Sequence, residues 1–424
     1  QPVEPSDIYG IYGMEETVCL DHITDRVLRD LLSFGLSEFR CSFCGRSEPD
    51  GGIPFAILMD ELGDRVWEAA NWLYEGTEDV QFSEDGEPWS YETLYETNDV
   101  IYDTVEDALD PRFSMEIVER IKEATKSTDY WVGSERADPS AIGWASFART
   151  VRFESRFVFI GSSVRPGYED EPPARIARFL EALLTYVESD LLIELPAGST
   201  LYRGRMTDDV SRIREKVQME PSGELGPAPA NLAETGRLSA RGIGLFYAAD
   251  DLDTAVAEIA LHSNYDQAIV GGFTTTRPLK VLDFTRPLVD LPSVFATDSE
   301  SRRRWTFARF KNHFTDMISA PVLLDGRQLV DYTPSQVVSE WLRFVPKTRI
   351  DGIAWPSHVT NGEGKNLMLF FGPGTDFQTD PPTESEQKRC PSRHPALTLS
   401  RADITEHRVE RSVAVLALEV DEDW

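Results

Sequence analysis

The apolar pattern of this chain changes character once, near Leu195-Pro196-Ala197-Gly198, and that change limits the folds open to it. Before it, apolar residues recur at helical spacing. From Pro54 to Tyr74, the residues Phe55, Leu58, Met59, Leu62, Val66, Trp67, Ala70 and Leu73 predict one amphipathic helix with Pro54 in its first turn. Similar patterns predict helices over 97–109, 113–125 and 139–155, and a last one from Pro173 to Ser189. After the change, strand-like runs begin at Ser199–Arg203 and recur at Leu245–Ala248, Ala268–Thr274, Leu279–Phe284, Gly352–Trp355 and Leu367–Phe371. Helical pieces at Asp253–His262, Ser299–Met317 and Pro334–Phe344 lie among them. The expectation is an α+β chain with a helical domain over 1–190, a mixed domain over 195–375, and a linker and tail over 376–424 that returns to the mixed domain. The Pro-, Asp- and Glu-rich stretch 374–393, with the isolated Cys390, reads as linker, and Val413–Val420 as a last strand.

A length of 424 residues suits two or three domains. The formal charge of −31, from 73 acidic and 42 basic residues, argues against broad nucleic-acid binding, which needs a basic face. A small anionic ligand needs only a local arginine cluster and stays open. Four cysteines make no disulfide framework and point to a reducing, cytoplasmic setting. No apolar run approaches the roughly 18–20 residues of a membrane span. The opening QPVEPSDIYG is too polar for a signal peptide. The glycines of 236–244 do not spell GxGxxG after a strand, and Walker A and HExxH motifs are absent. The only histidine before residue 262 is His22, so a helical RxxxxH nuclease is excluded as well.

Residues 15–46 hold Cys19-x-x-His22 and Cys41-x-x-Cys44, with Leu28, Leu31 and Leu32 at helical spacing between them. Two such knuckles supply four ligands of the type that surrounds a structural zinc, and Gly45 suits the turn after the second pair. The alternative is two unrelated pairs. Four protein ligands would leave no open position for catalysis by the metal.

In the second half four stations carry chemistry: Leu201-Tyr202-Arg203-Gly204-Arg205; Gly236-Arg237; Tyr247 with Glu258; and Trp355-Pro356-Ser357 followed by Gly364-Lys365-Asn366. Guanidinium groups bind pyrophosphate through paired, charge-assisted hydrogen bonds. A tyrosine can stack on a nicotinamide ring, and a glutamate beside an anomeric carbon can stabilise the charge that develops as a glycosidic bond loosens. Each residue alone has a structural alternative. Arg203 or Arg205 can be an ion-paired surface residue, Tyr247 a core residue, and Ser357 a turn residue. His262, His313 and His358 read as surface or core histidines, with His358 placed to touch a phosphate beside Ser357.

The order Tyr202-Arg203, Gly236-Arg237, Leu245-Phe246-Tyr247-Ala248-Ala249, Thr254-Ala255-Val256-Ala257-Glu258 and Pro356-Ser357 resembles the RES domain. Glu224-Leu225-Gly226-Pro227, Asp351-Gly352-Ile353 and Asn366–Phe370 extend the resemblance to longer RES proteins with an N-terminal helical domain of the HEPN/RES type. The resemblance implies a fold similar to ADP-ribosyltransferases and a bacterial toxin that degrades NAD⁺, with a protein antitoxin or inhibitor as partner; oligomer formation stays open. It implies phosphorolysis of NAD⁺ to nicotinamide and ADP-ribose 1″-phosphate, with inorganic phosphate as co-substrate. NAD⁺ hydrolysis, ADP-ribosyl transfer to a protein, and an inactive NAD-binding regulator are the alternatives. Carried over by position, Arg237, Tyr247, Glu258 and Ser357 are the catalytic set. Tyr202, Arg203 and Arg205 join Arg237 and Tyr247 in binding NAD⁺. The chain departs from the family at Gly236-Arg237-Leu238-Ser239, where an aromatic and an amide are usual, and at Trp355, where a small residue or tyrosine is usual.

Overall fold

The computed structural model describes residues 14–49, 52–77, 95–125, 130–133, 139–158, 172–261, 263–288, 293–320, 328–374, 377–379 and 395–411. The chain divides into two compact units. The first is Gln1–Tyr186 together with Leu288–Phe314, and the second is Val187–Pro287 together with Thr315–Trp424. Residues 288–314, within the 195–375 expected for the mixed domain, belong to the first unit.

The first unit carries helices α1 (Arg26–Leu32), α2 (Met59–Leu73), α3 (Thr97–Val105), α4 (Ser114–Ala124), α5 (Pro139–Phe153) and α6 (Pro172–Tyr186). In α2, Met59, Leu62, Val66, Trp67, Ala70 and Leu73 are buried, the stripe expected from their spacing. The helix begins at Met59 and not at Pro54. The residues before it pair as strand β2 (Ala56–Leu58) with β1 (Thr17–Cys19). A further small sheet joins β3 (Tyr74–Thr77), β4 (Tyr95–Glu96) and β5 (Tyr130–Gly133). It sets Trp131 against Trp67, with ring centroids 5.2 Å apart. The segment 288–314 supplies Val294, Phe295 and Trp305 to the same core. Its Phe310 meets Trp144 and Phe179 edge-on.

Among the described residues, the second unit is built on a nine-stranded sheet. Its strands are β6 (Leu192–Leu195), β7 (Thr200–Thr207), β8 (Phe246–Ala249), β9 (Gln267–Thr275), β10 (Leu279–Asp283), β11 (Gly352–Pro356), β12 (Lys365–Leu369), β13 (Phe377–Thr379) and β14 (Leu397–Arg408). Their spatial order is β13-β14-β9-β7-β8-β12-β11-β10-β6. Helices α7 (Val210–Met219), α8 (Pro221–Leu225), α9 (Leu252–Leu261) and α10 (Thr333–Phe344) accompany it. One sheet face buries Leu201, Phe246, Phe273, Leu367 and Leu369. The seam in the middle of the sheet is unusual. β7 pairs with β9 along its whole length, but with β8 only through Tyr202 and Ala249. The sheet is therefore split at β7–β8. The stretch 374–393 is not all linker, because Phe377–Thr379 pairs in parallel with β14. Cys390, His262 and Val413–Val420 lie outside the described residues. Among the described residues no helix is long and apolar enough to cross a membrane.

Candidate active site

A cleft of about 610 Å³ opens in the second unit beside the split. Its walls include Tyr202, Arg203, Arg237, Tyr247, Glu258, Trp355 and Asn366. Strand register explains why Tyr202, Tyr247, Trp355 and Asn366 converge. Tyr202 lies opposite Ala249, Ala249 opposite Asn366, and Asn366 opposite Trp355. Opposed residues share a sheet face, and so do residues two apart on one strand. Tyr202, Tyr247, Asn366 and Trp355 therefore point to one side, away from the Phe246–Phe273 core.

Glu258 sits on α9, whose first turn is tied down by Asp251 Oδ1 accepting from the Thr254 N–H at 2.8 Å. The β11–β12 hairpin closes on this helix. Ser357 Oγ donates to Glu258 Oε1 at 2.7 Å, and Asn366 Nδ2 donates to the same oxygen at 2.6 Å. Ser357 itself is 0% exposed and does not line the cleft. It stands behind Glu258, at a turn held by the Ser357 N–H donating to the Gly364 carbonyl at 2.9 Å. Ser357, expected in the catalytic set, thus reaches the cleft through its bond to Glu258.

The two cleft arginines differ in their ties. Arg203 comes from β7 at the split. Its Nε donates to the carbonyls of Leu225 (3.0 Å) and Gly226 (3.3 Å), and Nη1 donates to the Tyr247 carbonyl at 2.6 Å. The last bond spans the seam where the β7–β8 ladder is missing. Burial lowers the Arg203 pKa to about 10, which still leaves the group charged near neutrality. Arg237 Nη1 donates to the Ile318 carbonyl. Neither arginine meets a carboxylate among the described residues. Arg205 differs: Nη2 pairs with Glu224 Oε2 at 3.0 Å, and the residue does not line the cleft. The alternative of an ion-paired arginine describes its placement. His358 is exposed and also outside the lining, as is the exposed His313.

The Gly236-Arg237 loop is held by groups that local sequence does not mark. Tyr247 Oη pairs with Ser239 Oγ at 2.9 Å and accepts from the Leu238 N–H at 3.3 Å. Burial raises the Tyr247 pKa, which keeps it a neutral phenol. A side chain on Gly236 would meet Tyr247 Oη at 2.7 Å, so glycine is required by this close approach. From α10, Gln336 Nε2 donates to the Gly236 carbonyl at 2.8 Å, and Ser335 Oγ donates to the Arg237 carbonyl. The departures at Leu238-Ser239 thus have local roles: Leu238 is buried and Ser239 holds the tyrosine hydroxyl.

A second group lies in the first unit. The ligand atoms of Cys19, His22, Cys41 and Cys44 all fall within 4.8 Å of one another. Cys19 Sγ and Cys44 Sγ are 3.9 Å apart. A tetrahedral zinc with bonds of about 2.3 Å to sulfur holds its sulfurs about 3.8 Å apart. Both His22 ring nitrogens are buried with no hydrogen-bond partner among the described residues, and burial lowers its pKa toward the neutral, ligating form. Burial, with the neighbouring thiols, pushes Cys19 up to about 12. Gly45 turns the second knuckle with a φ of +69°. The four residues fit a structural zinc, with no position left open.

Comparison with known families places a RES domain over residues 209–393 and a HEPN/RES N-terminal domain 1 over residues 36–164. No curated protein matches the chain.

Proposed function

We propose that this chain, which carries a RES domain behind a HEPN/RES N-terminal domain, is a toxin-like enzyme that cleaves the nicotinamide–ribose bond of NAD⁺. The observation that carries the reading is one cleft that brings together two arginines, with no carboxylate partner among the described residues, and a Glu258 carboxylate fixed by two donors. In this reading Arg203 and Arg237 hold the pyrophosphate, and Tyr202 and Tyr247 bracket the nicotinamide and its ribose. Glu258 stabilises the oxocarbenium-like ribose as the bond loosens. The leaving nicotinamide needs no general acid, because it is cationic before cleavage and neutral after it. Inorganic phosphate then adds to the anomeric carbon to give ADP-ribose 1″-phosphate. Arg205 stays with Glu224 and takes no part in substrate binding. Zinc at Cys19, His22, Cys41 and Cys44 has a structural role in the first unit, and a protein antitoxin restrains the activity.

Mass analysis of NAD⁺ incubated with the purified protein, with and without phosphate, tests the reaction. Nicotinamide should appear together with a product heavier than ADP-ribose by one phosphate less one water. Glu258→Gln should lower the rate by about 100-fold or more, the scale expected when a transition-state charge stabiliser is removed. Free ADP-ribose at equal rates in both buffers would exclude phosphorolysis, and intact NAD⁺ in both would exclude the enzyme.

A further inference from the structure

We infer that Asn366 is a positioning residue for Glu258, and that it and Ser357 together make Oε2 the working oxygen of that carboxylate. The inference rests on Glu258 being the group that faces the scissile bond. A carboxylate has two oxygens and ordinarily shares its hydrogen bonds between them. Here both side-chain donors converge on Oε1, from Ser357 Oγ at 2.7 Å and Asn366 Nδ2 at 2.6 Å. Among the described residues no donor reaches Oε2. Two donors fix the torsion of the carboxylate plane, where one would leave it free to swing.

The two donors arrive from one hairpin, Asn366 from β12 and Ser357 from the turn that follows β11. Asn366, on β12, lies across from Trp355, and Ser357 follows Pro356, the last residue of β11. The hairpin is a rigid support, because β12 also pairs with β8 from Asn366 to Leu369. Ser357 is sealed from solvent, whereas Asn366 lines the cleft. Asn366 therefore sets the carboxylate from the substrate side, and Ser357 from behind. A carboxylate only accepts, so the amide nitrogen of Asn366 faces Glu258, and its Oδ1 has no donor among the described residues.

Two variants and one structure test this. Asn366→Ala should lower kcat about 10- to 100-fold, the scale of a misplaced catalytic group, while the affinity for ADP-ribose, which has no scissile bond, stays within about twofold. Asn366→Asp keeps the shape and puts a second carboxyl against Glu258. The pair must share a proton, so the acidic limb of kcat/KM should move up by about one pH unit or more. In crystals of Asn366→Ala, the Glu258 carboxylate should occupy more than one rotamer. An unchanged kcat in Asn366→Ala, an Asn366→Asp profile that overlays the wild type, or a single Glu258 rotamer in Asn366→Ala would each overturn the inference. If the wild-type protein leaves NAD⁺ intact, the proposed reaction fails, and the rotamer alone still decides the positioning role.

Discussion

Replacing Arg203 with lysine separates an arginine that binds ligand from one that also holds the sheet together. The guanidinium serves two places at once: the Leu225 and Gly226 carbonyls through Nε, and the Tyr247 carbonyl across the seam through Nη1. A lysine ammonium is a compact point charge and reaches one of those places. Each hydrogen bond from a charged donor contributes about 1.5–3 kcal/mol. Loss of one side, with a carbonyl left short of a donor, should cost about 2–4 kcal/mol, which is large against a typical total of about 5–15 kcal/mol. With a urea slope of about 3 kcal/mol/M the midpoint should fall by about 1 M. Hydrogen exchange read on peptides covering β7 and β8 should show the loss concentrated at residues 246–249. Arg203→Lys with a wild-type midpoint and wild-type protection of β8, and only weaker NAD⁺ binding, would refute the structural part of this reasoning.

Two further outcomes follow from other sites. The purified protein should carry about one zinc per chain by elemental analysis, and Cys41→Ser should lose it and melt the first unit at lower temperature; full stability of the metal-free protein would remove the zinc assignment. Asp351 is buried, which alone would raise its pKa, but Arg277, the Lys280 N–H and Arg349 outweigh burial and hold the carboxyl below its usual value. A depressed folded-state pKa adds stability that is present above the unfolded value of about 3.9 and lost as pH falls through the folded one. The stability gap between wild type and Asp351→Asn should therefore be largest near neutrality and shrink below about pH 4, as read by urea melts at each pH.

How much of this was legible in the sequence depended on whether the signal was local. The helices α2 to α6 announce themselves because their apolar stripes repeat every three to four residues. α7 does not, since only Val210 and Val217 of its residues are buried. β14, the longest strand, escaped because its alternation decays after Leu399 and its partner β9 lies far back in the chain. Arg237, Tyr247 and Glu258 were visible as chemical types set along one loop, strand and helix. Asn366 was visible only as part of a Gly-Lys-Asn run. Its approach to Glu258 depends on the register of two strands, and that is a long-range property. The same holds for Ser357, whose burial behind Glu258 no neighbouring residue encodes, and for Gln336, which ties the Gly236 loop from 100 residues away.

The first unit is not continuous in the chain, and this orders events during synthesis. Its core includes Val294, Phe295 and Trp305, and Phe310 sits among Trp144 and Phe179. A ribosome that has finished Tyr186 has still to make the whole stretch to Phe314. At about 5–20 residues per second that takes roughly 6 to 25 s. For that time the nascent N-terminal helices wait with an apolar seat unfilled. A chain that stops at Tyr186 never fills it. The natural client for a holding chaperone is therefore the half-made protein, and an isolated 1–186 fragment should aggregate where the full chain does not.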